Sequence, residues 1–463
     1  MNELQGKRRI VLTRGPPDGG YGWFIVLSTF LVFGLTFGII KSFGVFFVEI
    51  HHYFATTATA SSWITSICVA TVHFGAPFGS ALSTYFGHRP VVIAGGLLSS
   101  IGMVAGSYAQ DLLQLYITVG FLTGFGYALT WTPTVTMLGW YFEKRRPVAN
   151  ALASTGECIL TFILTPSFQF MVDQYSWRGA MLILGALQLN LCLCGALLRP
   201  LDRHIPSKEL TIEEKNLDLE MLSQAHKNRP VSEQNSENQN NTVKTKIIRY
   251  MDYTLIGNIH FMVYSMFGVF AALGFFAPSL FLVPYAHSQG VEEYQAAALM
   301  SISAVLDLSG RVVFGLVANL RLVETIHQLI VTVILLGIVL LLCPLATTFT
   351  QLALFSAGYG LVFGATVAIH ITVLAEVVGV ERLGSALGFF MLIRSIGGLL
   401  GPPLAGFFID KMNDYGAGFI MAGVALIVST IFLLLLHHMN KKGKQTGKDT
   451  PLENRKEVKD MKN

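Results

Sequence analysis

Charged side chains are scarce in this chain. They make up 13% of the sequence, against roughly 25% in soluble domains, while apolar residues make up 52%. Such a composition does not read as a soluble globular domain, and many apolar runs pass the roughly 20 residues that span a bilayer. The net charge of +4 is small, and the basic residues stand in short clusters between apolar runs. That pattern sets membrane orientation and argues against nucleic-acid binding. The five cysteines (Cys68, Cys158, Cys192, Cys194 and Cys343) all fall inside apolar runs. They read as small helix-packing residues, with neither a disulfide framework nor metal-ligand spacing, so no metal and no cofactor is expected. No His-Glu-x-x-His motif and no nucleophile constellation occurs, which argues against an intramembrane enzyme. No recognisable signalling module supports a sensor or scaffold. Gly120, Gly124 and Gly126 allow close helix approach but follow no strand and open no phosphate loop. The polar start up to Asp18 and the long first apolar run predict no cleavable signal peptide.

What is present is a series of about twelve apolar segments. They fall near 21–48, 61–85, 90–109, 112–140, 147–172 and 178–199, then near 253–284, 293–318, 324–344, 349–377, 384–409 and 414–437. The expected organisation is a tail at 1–20, a six-helix half at 21–201, a linker at 202–250, a second six-helix half at 251–439 and a tail at 440–463. The linker is rich in Asn, Gln, Glu, Lys and Ser and reads as largely disordered, with a short helix near Thr211–Ala225. His88-Arg89, Lys144-Arg145-Arg146, Arg199, Arg203, Arg321, Arg382 and the lysines from Lys441 fall on one side of the membrane. Glu49, Asp111, Asp173, Glu292 and Glu293 fall mainly on the other. The positive-inside rule then places both termini and the linker in the cytoplasm. The glycosylation pattern at Asn240 therefore faces the cytosol and stays unmodified. A weak repeat supports the two halves: Arg145 and Arg382, Ala149 and Ala386, Pro166 and Pro403, and Asp173 and Asp410 each lie 237 positions apart. The fold class is thus an all-α polytopic membrane protein with two six-helix halves in parallel duplication. That is the major facilitator architecture, with its substrate site between the halves near mid-membrane.

One turn within the eighth segment stands out, Ser303 to Arg311. Asp307 and Arg311 are four residues apart, on one helix face and within pairing reach. An isolated charge at mid-bilayer costs roughly 2.5–3.5 kcal/mol on insertion scales, so an intramembrane pair usually faces a water-filled cavity. The alternative is a static pair that only locks helices. Lys41 lies in the outer half of the first segment, at ~1.5 Å per residue from Tyr21. Its structural alternative, taken alone, is a snorkelling lysine.

Asp18-Gly19-Gly20-Tyr21-Gly22-Trp23 resembles the signature that opens the monocarboxylate transporter family. The stretch from Tyr141 to Gly156, containing Lys144, Arg145 and Arg146, resembles that family's second signature. Gly401 to Gly406 is similar to its eleventh span, and the likeness covers nearly the whole chain outside the linker and tails. The resemblance implies a plasma-membrane transporter that moves small monocarboxylates of the lactate, pyruvate or ketone-body type with a proton, by alternating access. Relatives carry amino acids, thyroid hormones or creatine, some without proton coupling, and some need a single-span accessory glycoprotein as partner. Lys41 matches the first-span lysine of the proton-coupled members, and Asp307 and Arg311 match their eighth-span acid and arginine. Asp307 and Lys41 are then expected to couple the proton, and Arg311 or Lys41 to meet the substrate carboxylate.

Two further charges depart from that pattern. Glu157 and Arg394 lie ten residues or so into the fifth and eleventh segments and are again 237 apart. Either they reshape the charge of the substrate site, or each pairs locally, Glu157 with Arg311 on the eighth segment. His370 is a candidate proton relay or donor to the substrate, or else a packed, hydrogen-bonded residue, as are His73 and His260. The basic cluster at 144–146 reads first as an orientation determinant and second as a gating contact with the opposite half.

Overall fold

The computed structural model describes residues 18–142, 145–199, 253–319, 323–379 and 382–460. The expected linker with its short helix and its Asn240 pattern, the tail before Asp18, Lys144, Arg321 and the side chain of Arg146 lie outside the described residues.

Among the described residues the chain is helical and without strands. In a bilayer core every backbone N–H and C=O must be satisfied within the segment, and long apolar runs do this as helices. Among the described residues, eleven helices are long and apolar enough to cross a membrane. One of them, Val148–Leu197, is 50 residues long, more than twice what a bilayer requires. It breaks at Ser176 (φ 61°, ψ 168°) and is two crossings. The crossings among the described residues are therefore twelve, as the hydropathy pattern predicts. They are α1 (Gly22–Ser42), α2 (Ala58–Phe86), α3 (His88–Ser107), α4 (Leu112–Tyr141), α5 (146–175) and α6 (177–197). The second set is α7 (Ile259–Ser288), α8 (Glu293–Asn319), α9 (Thr325–Leu342), α10 (Phe349–Val378), α11 (Leu383–Met412) and α12 (Gly416–Lys441). The last helix continues to Asp460.

Because the helices alternate in direction, α6 ends and α7 begins at the same end of the bundle, here the linker end. Beside a contact of Gly44–Tyr53, which continues the first helix, with Ala277–Ser288 of α7, the halves meet along two seams, α2 with α11 and α5 with α8. With the 237-residue offset these are the same seam twice. At the far end the seams are tight. A Cβ on Gly406 of α11 would lie 2.8 Å from the Thr59 backbone of α2, so only glycine fits there. The Asp410 carboxylate, at the far end of α11, accepts the Ala58 N–H (2.7 Å), the Thr59 N–H (2.9 Å) and the Thr59 hydroxyl (2.5 Å). It caps the N-terminus of α2 from the opposite half, where free N–H groups and the helix dipole favour an anion. Across the other seam, Gln169 of α5 reaches both Asp173 (2.9 Å) and Glu293 of α8 (3.3 Å).

Towards the linker end the halves part around a cavity of about 2270 Å³. Its walls reach Asn150, Thr155, Glu324, Glu376, Met439 and Lys441, all at the linker ends of their helices. The molecule is closed at one end and open at the other.

Candidate functional site

Three helices supply the charges at the closed end of the cavity. On α8 the four-residue spacing puts Asp307 and Arg311 on one face, and Arg311 Nε donates to Asp307 Oδ1 at 2.8 Å. On α1, Lys41 follows a π-helical turn, Gly34–Gly38, whose extra residue resets the helix face one turn before the lysine. Its Nζ lies 2.8 Å from Asp307 Oδ2 and 2.7 Å from Glu157 Oε1 of α5. Arg311 Nη2 closes the figure on Glu157 Oε2 at 3.0 Å and also reaches Asp307 Oδ2 at 3.1 Å. The result is a ring of two cations and two carboxylates. All four carboxylate oxygens accept a charge-assisted hydrogen bond, and the four charges cancel.

The ring is buried, with side-chain exposures of 3% for Asp307, 9% for Arg311, 11% for Glu157 and 19% for Lys41. Asp307 is the deepest. Lys41, Glu157 and Arg311 line the cavity. Close helix approach makes the ring fit: a Cβ on Gly364 of α10 would press to 2.9 Å from Asp307 Oδ1. Lys41 Nζ also lies over the Phe363 ring, 4.6 Å from its centroid. Removing one partner from such a network strands a buried charge, which costs about 3–5 kcal/mol; the intact ring is a much weaker source of net stability.

Arg394 of α11 stands apart from the ring. It lines the same cavity, its guanidinium is 5.4 Å from the Phe275 ring centroid, and it makes no ion pair or hydrogen bond among the described residues. Phe37, Trp131, Phe275, Phe276 and Tyr359 give the cavity aromatic walls.

Comparison with known proteins decides the family. The family model of the Major Facilitator Superfamily matches residues 25–326 and 326–462. Human monocarboxylate transporter 2 is 37% identical over 430 residues, covering 92% of this chain and 87% of that protein. Human monocarboxylate transporter 7 is 38% identical over 453 residues, 91% and 87% of the two chains. Bovine monocarboxylate transporter 13 is 37% identical over 423 residues, 91% of each. The chain belongs to the monocarboxylate transporter family. It is a multi-pass membrane transporter of the major facilitator fold, not an enzyme.

In this monocarboxylate transporter family member the two signature motifs dock on each other within the N-terminal half. The Asp18 N–H donates to the Tyr141 carbonyl (3.1 Å), and the Arg145 N–H donates to Asp18 Oδ1 (3.2 Å). Trp23 meets Phe142 edge-on at 5.5 Å, and a Cβ on Gly22 would crowd Phe142 at 2.9 Å. The Tyr21 hydroxyl donates to the Leu197 carbonyl (2.9 Å), tying α1 to the end of α6. Gly19 completes the opening turn by accepting the Gly22 N–H at 3.1 Å. Arg145 is exposed and sits in this docked turn.

His370 lines the cavity, with Nδ1 2.8 Å from the Val367 carbonyl, and its own carbonyl accepts the Tyr264 hydroxyl. A carbonyl only accepts, so Nδ1 carries the proton in that contact. His73 makes the same bond to Val69, and His260 also lines the cavity. Of the two readings of Glu157 that the sequence left open, the pairing with Arg311 is present, and Lys41 joins it. The spacing argument found no route to that closure, because Lys41, Glu157 and the Asp307 turn are separated by more than a hundred residues. It also missed Glu324, His327 and His437, whose ligand-type atoms gather within 4.8 Å of one another at the linker-end rim.

Proposed function

We propose that this transporter carries small monocarboxylates, of the lactate, pyruvate or ketone-body type, together with a proton by alternating access across the plasma membrane. The linker end, with both termini and residues 202–250, is then cytoplasmic, and the cavity opens inward. The observation that carries the reading is the charge-balanced ring at the closed end of the cavity. With both carboxylates ionised, Lys41 and Arg311 are fully matched. A proton placed on Asp307 or Glu157 removes one negative charge and leaves the cavity with one more net positive charge, which an incoming monoanion balances. Proton and anion are thereby linked through the net charge of one cavity rather than bound independently. His370 is the candidate relay beside this path. A single-span accessory glycoprotein, as the family resemblance implies, is the candidate partner for delivery to the surface.

The second reading is a facilitator of another organic solute, such as an amino acid or a hormone-like molecule, without strict proton coupling. It is favoured by the aromatic walls and by a cavity well above the roughly 300–1,000 Å³ of ordinary small-ligand pockets. Uptake of labelled lactate, pyruvate, 3-hydroxybutyrate and phenylpyruvate into oocytes, at acidic and neutral outside pH with intracellular pH recorded, separates the two. Symport predicts acid-stimulated uptake with cytoplasmic acidification. Uptake that ignores the outside pH and leaves the cytoplasm unchanged removes the coupling.

A further inference from the structure

We infer that the carboxylate of the cargo is received by Arg394 on α11 and not by Arg311. The inference rests on the reading that the cargo is an organic monoanion. Arg311 donates to both ring carboxylates, and Lys41 does the same, so neither has a charge to spare while the ring is closed. Arg394 lines the cavity with no anionic partner among the described residues. A half-buried guanidinium packed against an aromatic ring and left without an anion is less favourable than a paired one, and an anion in the cavity supplies the missing partner. Its planar fork suits a carboxylate, which it meets through two parallel N–H groups. Phe275 lies under the guanidinium and Phe276 lines the cavity beside it, so an apolar body attached to the carboxylate has a surface to pack on.

The charge arithmetic agrees. Lys41, Asp307 and Arg311 alone sum to +1. Glu157 brings the ring to zero, and Arg394 returns the cavity to +1. Glu157 and Arg394 occupy equivalent positions of the two halves, 237 residues apart. Together they leave the net charge unchanged and move the uncommitted cation from the α1–α8 side to α11.

The test is a rescue. Binding of phenylpyruvate to the purified full-length transporter is followed by calorimetry, and its uptake by oocytes is normalised to surface protein. Arg394→Gln should weaken binding on the order of 10- to 100-fold, the range for losing a hydrogen bond between charged partners. Arg394→Lys keeps the charge without the fork and should fall between. In the double variant Glu157→Gln with Arg394→Gln the ring regains its surplus positive charge and Arg311 is released, so binding should recover most of the loss. A merely structural Arg394 gives no such recovery. Wild-type affinity in Arg394→Gln, or a double variant as weak as Arg394→Gln while melting at the wild-type temperature, overturns the assignment. Wild-type protein that binds no acid at all overturns the carboxylate cargo as well. Uptake without acidification removes only the coupling and leaves Arg394 in place.

Discussion

Asp410→Ala isolates one of the contacts that hold the far end shut. The wild-type carboxylate caps the first turn of α2 with three hydrogen bonds across the seam between the halves. Asp410 is exposed, so its worth is that of a helix cap and not of a buried ion pair. Removing a cap costs about 0.5–2 kcal/mol, and the dipole adds a few tenths or more. Since the contact exists only when the far end is closed, about 1–2 kcal/mol is lost from that state alone. The ratio of open to closed should then rise by a factor of about 5–30. A cysteine at Ser279, which lines the cavity, in a background lacking the five native cysteines, reports the change. An impermeant maleimide added to intact cells should label Asp410→Ala faster by that factor, and Asp410→Asn, which keeps one good acceptor, by less. An unchanged rate in Asp410→Ala refutes the latch.

Asp307→Asn removes one ring anion and should abolish acid-driven accumulation with surface expression retained; concentrative, pH-driven uptake by this variant would leave Glu157 as the coupling acid. Gly364→Val presses a branched side chain onto Asp307 and should cut transport to a small fraction of wild type, measured per surface molecule. Trp23→Ala loses the edge contact to Phe142, worth about 0.5–1.5 kcal/mol beyond the area lost, and should lower the melting temperature of the purified protein without changing which acids it carries. Tags at the N-terminus and within 202–250 should be detected only in permeabilised cells; labelling of intact cells reverses the proposed orientation.

The sequence by itself determined the helices, their number and their pairing into halves. Each apolar run satisfies its own backbone within lipid, so the run length that a bilayer demands is legible residue by residue, as is the break near Ser176 between the fifth and sixth segments. The Asp307–Arg311 contact was equally legible, because four residues on a helix always return to the same face. So was the equivalence of Glu157 and Arg394, which is a matter of counting. The closure of the ring was not. Whether Glu157 meets Arg311, Lys41 or nothing depends on how α1, α5 and α8 are brought together, through the π-helical turn at Gly34–Gly38 and the glycine contacts around Asp307. Nor does spacing say that Asp410 reaches the start of α2 while Arg394, sixteen positions earlier on the same helix, reaches no carboxylate among the described residues. Local periodicity sets which way a side chain points on its own helix. Only the packing of one half against the other decides what it points at, because those contacts join residues hundreds of positions apart and no local rule carries that far.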